Sequence, residues 1–113
     1  MKIEVNGQHI PTHEQGFICN PNDWNEGFTK AVAERDGIDL YVDHWELIWY
    51  VREFYEEKQT TPTMHTVVRT LGKKNARFHD QKEYEKHIYA LFHTDPCHEV
   101  CKLAGLPMPQ PDD

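Results

Sequence analysis

The sequence predicts a mainly α-helical domain with an N-terminal β-hairpin and an extended C-terminal arm. Two short runs of alternating apolar and polar residues flank Asn6-Gly7, a pair typical of a tight hairpin turn. After residue 20, most apolar residues stand three and four apart, as they do in amphipathic helices. Prolines at every second position from 107 to 111 exclude both a helix and a central strand there.

The chain has 113 residues, which suits a single domain. We expect a hairpin region at 1–18, a helical core at 20–105 and a C-terminal arm at 106–113. Because a lone hairpin is only marginally stable in water, the hairpin must pack on the helices. The arm should be mobile or loosely docked from Leu106 onward, since its prolines cannot form regular hydrogen bonds.

The first two helices have clear limits in the sequence. A loop at 20–23 leads into a first helix that stops at Gly37, and a second helix runs from about Val42 to Lys58. Large apolar residues on these and the following helices should be mostly buried. They are Trp24, Phe28, Trp45, Ile48, Trp49, Val68, Leu71, Ile88 and Leu91.

The next two helices are marked by capping residues. Either Thr61 or Thr63 caps a short third helix, which Gly72 is expected to end. Asp80 then caps a fourth helix.

Two cysteines lie on the fifth predicted helix, for which Asp95 is the N-cap, Pro96 the first residue and Gly105 the stop. Cys97 and Cys101 are four residues apart, so their thiols project from one face. Cys97 falls in the first turn, where the helix dipole favours a thiolate. The alternatives are thiol chemistry at this pair or inward packing of Cys101 as a small hydrophobe.

Neighbouring histidines raise the alternative of a zinc site. His93 and His98 combine with the two cysteines into a compact set of nitrogen and sulfur donors. However, Asp95-Pro96 interrupts the geometry after His93, and no second Cys/His pair stands at the spacing of a zinc finger. We therefore expect no metal and no cofactor.

Charge and cysteine content limit the function and the location. The chain carries 12 Lys and Arg against 19 Asp and Glu, a formal net charge of −7, which disfavours broad capture of nucleic acid or anionic membrane. No apolar run approaches the roughly 18–20 residues that span a bilayer, and the N-terminus lacks the apolar stretch of a secretory signal. Three cysteines make no disulfide framework, so we expect a cytoplasmic protein without membrane insertion. Cys19, alone in a loop, is expected to be partly buried.

A basic cluster stands near the end of the third predicted helix. Its members are Arg69, Lys73, Lys74 and Arg77. They are candidates for binding phosphate or an acidic partner. The alternative is a solvated helix end stabilised by the helix dipole.

Several motifs together resemble the DsrC/TusE family, which includes the gamma subunit of dissimilatory sulfite reductase. The resemblance extends from the hairpin to the arm. The matching segments are Asn22-Asp23-Trp24, His44-Trp45-Glu46-Leu47-Ile48, Arg52-Glu53-Phe54-Tyr55-Glu56-Glu57, Tyr89-Ala90-Leu91-Phe92 and Cys101-Lys102-Leu103-Ala104-Gly105-Leu106-Pro107-Met108-Pro109. The resemblance implies a small helical fold with a helix-turn-helix-like unit and a mobile C-terminal arm.

The resemblance also implies sulfur chemistry on the arm, with one departure. DsrC-type members carry two cysteines, one before A-G-L-P and one at the penultimate position, whereas TusE-type members keep the penultimate one. Cys101 matches the first, but the penultimate residue here is Asp112, and a carboxylate cannot hold sulfane sulfur. Cys97 is an addition to the family pattern.

Two functions remain open at this point. The first is a sulfur carrier of the sulfurtransferase type, not a stand-alone catalyst, with Cys101 (and Cys97) as the reactive thiol. Its partners would be sulfur-metabolism proteins, namely sulfite reductase-like, sulfurtransferase or heterodisulfide-reductase-like. The second is a non-catalytic regulatory homologue that binds partners or DNA through the helix-turn-helix, although the acidic charge weighs against DNA.

Overall fold

The N-terminal hairpin has the predicted turn. The structure, a computed structural model, describes residues 1–74, 78, 80–92 and 95–109. Strand β1 (Lys2–Val5) pairs antiparallel with strand β2 (Gln8–Pro11). Asn6 and Gly7 have φ values of 52° and 82°, and positive φ at both central residues is the mark of a type I′ turn. One face of the hairpin is buried and packs against the first helix.

After the hairpin, five α-helices make up most of the described chain. The helices are α1 (Glu26–Asp36), α2 (Val42–Lys58), α3 (Met64–Lys74), α4 (Gln81–Leu91) and α5 (Pro96–Leu103). Helix α5 packs against α1, α2 and α4, while α3 packs against α4 as a helix-turn-helix-like pair. The short α5 therefore lies at the centre of the molecule, where several elements hold it.

Most predicted helix limits are confirmed. Helix α2 has the predicted bounds. Asp80 caps α4 by accepting a hydrogen bond from the backbone N–H of Glu83 at 2.9 Å. Of the two threonines proposed to begin α3, Thr63 is the cap, because its hydroxyl accepts from the backbone N–H of Thr66 at 3.1 Å.

Gly72 does not end α3 as predicted. The helix continues through it to Lys74. Glycine costs a helix only about 1 kcal/mol relative to alanine. Leu71 is buried in the core beside it, and this packing offsets the local preference.

The predicted core is confirmed at five of its nine positions and wrong at Trp49. Phe28, Ile48, Val68, Leu71 and Ile88 are buried, whereas Trp24, Trp45 and Leu91 are partly buried. The side chain of Trp49 is 42% exposed, because the buried face of α2 is centred on Leu47, Ile48 and Val51.

The arm begins docked, which corrects the expectation that it is loose from Leu106 onward. Leu106 is 1% exposed and belongs to the core, and Pro109 is also buried. The apolar side chain of Leu106 gains more from burial than it loses by being ordered. Residues 110–113, including Asp112, lie outside the described residues.

Within the described residues, no helix combines the length and the apolar character needed to cross a membrane.

Candidate functional site

The N-terminal end of α5 is fixed by its cap. One carboxylate oxygen of Asp95 accepts hydrogen bonds from the backbone N–H groups of Cys97 and His98, at 2.9 and 3.3 Å. Pro96 occupies the first helical position, where its missing N–H costs nothing. The sequence therefore places Cys97 in a first turn whose backbone is held by a side chain, as predicted.

The C-terminal end of α5 is fixed by three side chains from other elements. The carbonyl of Leu103 accepts from the Thr29 hydroxyl at 2.6 Å and from the Trp24 indole N–H at 3.2 Å. The Arg52 guanidinium donates to the carbonyl of Ala104 at 2.6 Å. It also lies 4.0 Å above the Trp24 ring, a cation–π contact. We call Trp24, Thr29 and Arg52 the carbonyl clamp.

The carbonyl clamp satisfies two of the carbonyls at the end of α5, where a helix leaves its last carbonyls without intrahelical partners. Burial lowers the pKa of Arg52 below its ordinary value, with the charge of Glu56 opposing this, and the group stays cationic. A charged donor makes a stronger hydrogen bond than a neutral one. The helix that carries both thiols is thus anchored at each end.

The two thiols of α5 lie in different environments. Cys101 is buried with 0% exposure, as the packing alternative required. Cys97 is half-buried and lines a cleft of about 350 Å³, bounded by the loop at 60–63, Tyr89 and Pro109. Its thiol donates to the backbone carbonyl of Pro62, with sulfur and oxygen 3.6 Å apart. Cys97 is therefore the thiol of the pair that meets open space.

The spacing of four residues brings the two thiols into contact. A hydrogen bond with Cys97, with burial second, raises the pKa of Cys101 far above its ordinary value of 9.0. A hydrogen bond has this effect when the neutral thiol is the donor. Cys101 is accordingly a protonated thiol at neutral pH, hydrogen-bonded to Cys97.

Cys19 differs from its prediction. It is exposed and not partly buried, with its sulfur 3.8 Å from Nδ1 of His13. It lies in the loop that follows the hairpin, and it lines a separate cavity with Pro107 and Met108 of the arm. All three cysteines are free thiols.

The donor set proposed as the zinc alternative is not assembled within the described residues. They contain no group of three or more His, Cys, Asp or Glu side chains that could hold a metal ion. His93, one of the four donors of that alternative, lies outside the described residues.

The basic cluster is only partly described. Arg69, Lys73 and Lys74 lie on α3 with exposed side chains, and Arg77 falls outside the described residues. The structure does not bring these side chains to the thiol pair: none of them lines the cleft of Cys97.

Sequence reasoning found the thiol pair and missed the carbonyl clamp. Thr29 and Trp24 are 74 and 79 residues from Leu103 along the chain, and their acceptors are backbone carbonyls. A backbone acceptor leaves no signature in the sequence. The one available signal was Gly105, whose positive φ of 67° brings the chain close to Trp24.

Fold and site together define a small helical domain that presents a thiol pair on an anchored central helix. Comparison with known proteins gives the family. The model of the family described as "DsrC like protein" matches residues 4–111, so this chain belongs to the DsrC-like family.

Individual relatives and solved structures support this family assignment. A protein named sulfurtransferase TusE from Yersinia pestis is 36% identical over 107 residues, covering 95% of each chain. The NMR structure of DsrC from Allochromatium vinosum superposes with a TM-score of 0.87 at 35% identity, covering 99% of this chain and 97% of that one. The oxidized gamma subunit of dissimilatory sulfite reductase (DsrC) from Archaeoglobus fulgidus gives 0.84 at 28% identity over the whole of both chains.

Proposed function

We propose that this chain is a sulfur-relay protein in which the thiol pair of α5, the signature residue Cys101 together with Cys97, handles sulfane sulfur. Family membership and the sulfurtransferase name of the relatives favour relay over a regulatory homologue. The observation that carries the site is the contact between a buried thiol and a thiol that lines a cleft. Such a pair offers both an accessible nucleophile and a neighbouring hydrogen-bond donor.

The relay step conserves electrons overall. A protein thiolate attacks the outer sulfur of a donor persulfide, R–S–SH, and forms a new S–S bond as the old one breaks. The donor leaves as a thiolate and takes up the proton that the protein thiol has lost. A thiol and a persulfide simply exchange roles, so the step needs no oxidant or reductant.

The partners we propose are proteins of sulfur metabolism that donate or accept this sulfur. One relative is named as the gamma subunit of a dissimilatory sulfite reductase, which supports partners of this class. The exposed cations Arg69, Lys73 and Lys74, with Arg77, are the surface we propose for an acidic partner. Three free thiols suit the reducing cytoplasm, which we propose as the location.

Mass spectrometry after treatment with inorganic polysulfide tests the function. We expect Cys19→Ser to gain sulfur on the peptide that contains α5. Cys97→Ser/Cys101→Ser should gain none on that peptide, with any sulfur it takes up confined to the exposed Cys19. A family member with two cysteines, treated identically, shows that the conditions load a competent protein. If that member gains sulfur and Cys19→Ser does not, the relay proposal is wrong.

A further inference from the structure

The two thiols of α5 are not equivalent, and their differences assign them separate roles. Cys97 lines the cleft, whereas Cys101 has 0% exposure and no route to a bulky donor. A persulfide must approach an attacking sulfur to within bonding contact, in line with the bond that breaks. Only Cys97 offers such an approach without local opening of the fold.

A chain of hydrogen bonds runs through the pair. The S–H of Cys97 donates to the Pro62 carbonyl at 3.6 Å, which leaves the sulfur of Cys97 as an acceptor. In the hydrogen bond between the two thiols, Cys101 is therefore the group left to be the donor. When Cys97 loses its proton, the contact with the carbonyl oxygen becomes repulsive, while the hydrogen bond from Cys101 becomes stronger. Deprotonation therefore favours a conformation in which the Cys97 sulfur keeps its hydrogen bond with Cys101 and turns away from Pro62 toward the cleft.

We propose that Cys97 is the nucleophile that takes sulfur from the donor, and that Cys101 is a positioning residue whose S–H holds and stabilises the Cys97 thiolate. This division of roles rests on the proposed sulfur-relay function. It reverses the expectation from the family signature, in which Cys101 is the matched cysteine and Cys97 an addition. The cleft of about 350 Å³ admits the end of a persulfide chain, and Thr60, Thr61 and Thr63 are among the residues that line it.

The step proceeds at one sulfur atom. The Cys97 thiolate attacks the outer sulfur of R–S–SH, the S–S bond of the donor breaks, and R–S⁻ departs with the proton that Cys97 gave up. The product is a persulfide on Cys97, whose inner sulfur keeps the hydrogen bond from Cys101. Cys101 neither gains sulfur nor changes its oxidation state in this step.

The test compares single variants in a Cys19→Ser background. After treatment with inorganic polysulfide, we expect Cys97→Ser to gain no sulfur and Cys101→Ser to gain one sulfur atom on Cys97. Serine retains a hydroxyl donor, so Cys101→Ser should react at a rate within about twofold of the parent. Cys101→Ala lacks the donor, and the loss of one hydrogen bond to a charged group should slow loading roughly tenfold.

A second measurement separates positioning from mere folding. The rate of alkylation of Cys97 is measured as a function of pH in all variants, with melting curves to confirm that each is folded. We expect the midpoint of this profile to move to higher pH in Cys101→Ala and to stay in place in Cys101→Ser. A purely structural role for Cys101 would leave the midpoint unchanged in both, and this result would overturn the proposal.

The failure of this inference and the failure of the relay function give different results. If Cys97→Ser gains sulfur on Cys101 at the parental rate, the roles are assigned wrongly and the relay function stands. If neither single variant nor the Cys19→Ser parent gains sulfur, the division of roles falls together with the relay function.

Discussion

At the scale of single residues, the anchoring of α5 depends on donors that satisfy its last carbonyls. Arg52 is the strongest of these, because it is charged, half-buried and stacked on Trp24. Thr29 and Trp24 share the neighbouring carbonyl of Leu103. Each thiol of α5 owes its position to groups that are remote in sequence.

Replacing Arg52 should destabilise the fold measurably. Arg52→Ala removes a charge-assisted hydrogen bond and the stacking on Trp24, and we expect the free energy of unfolding to fall by about 2 kcal/mol. Arg52→Lys keeps the charge and loses the planar stacking, so an intermediate loss is expected. Urea unfolding measures both losses.

Arg69→Ala, on the exposed face of α3, is the control and should change stability by less than about 0.5 kcal/mol. Equal effects of Arg52→Ala and Arg69→Ala would contradict the role of the carbonyl clamp.

A second residue-scale prediction concerns Gly105. Its φ of 67° is close to the 72° of Gly37, so alanine at either position carries the same backbone strain, about 1–2 kcal/mol. The methyl group of Gly105→Ala would also overlap the indole of Trp24, whereas that of Gly37→Ala meets nothing within 4 Å. We expect losses of about 3 kcal/mol or more and about 1 kcal/mol respectively. Similar melting temperatures for the two variants would mean that Trp24 moves aside freely.

At the scale of elements, local sequence signals predict helix limits well and helix faces less well. The bounds of α2 follow from its pattern, because apolar spacing and flanking polar residues act within one turn. The face that α2 buries depends on where α5 packs on it, and this depends on contacts far along the chain. The broad aromatic stripe of α2 therefore left Trp49 assigned to the core.

Neighbouring residues on α2 provide a test of that face. Ile48 is 0% exposed, whereas Trp49 is 42% exposed and meets Trp24 edge-on, with ring centroids 5.3 Å apart. We expect Ile48→Ala to cost about 2–5 kcal/mol, since it opens a cavity in the core. Trp49→Ala should cost about 1–2 kcal/mol, because it removes one aromatic edge contact and a burial that is only partial. Denaturant unfolding distinguishes them, and a larger loss for Trp49→Ala would contradict the orientation of α2.

At the scale of the whole molecule, the sequence predicts the candidate thiols but not what surrounds them. The spacing of Cys97 and Cys101 fixes their common face, because helix geometry is local. The burial of one and the cleft beside the other depend on the loop at 60–63 and on Pro109, which come from distant parts of the chain. The carbonyl clamp is set in the same way by tertiary contacts.

A cluster of charged groups also joins distant elements, since it links the end of α1 to α5. The ammonium group of Lys102 lies 3.1 Å from Asp36 and 3.8 Å from Glu99. Burial raises the pKa of Asp36, but a hydrogen bond with Glu99, the hydrogen bond from Lys102 and the charge of Lys102 outweigh it. The pKa of Asp36 therefore lies below its ordinary value of 3.8 in the folded protein.

Because this pKa is lowered in the folded protein, we expect the free energy of unfolding to decrease at acidic pH. Around and below pH 4, Asp36 takes up a proton more readily in the unfolded chain than in the folded protein. The ionised Asp36 therefore stabilises the fold above the pKa of the unfolded chain. This stabilisation is lost as the pH falls through the pKa of the folded protein. Asp36→Asn should lower the free energy of unfolding at pH 7 by about 1 kcal/mol, the worth of a partly exposed ion pair, and should flatten its decline in acid. Urea unfolding from pH 7 to pH 3 measures both effects, with Asp39→Asn as a control that removes an exposed carboxylate nearby in the sequence. If the free energy of unfolding falls equally in the parent and in Asp36→Asn over this range, Asp36 does not cause the pH dependence.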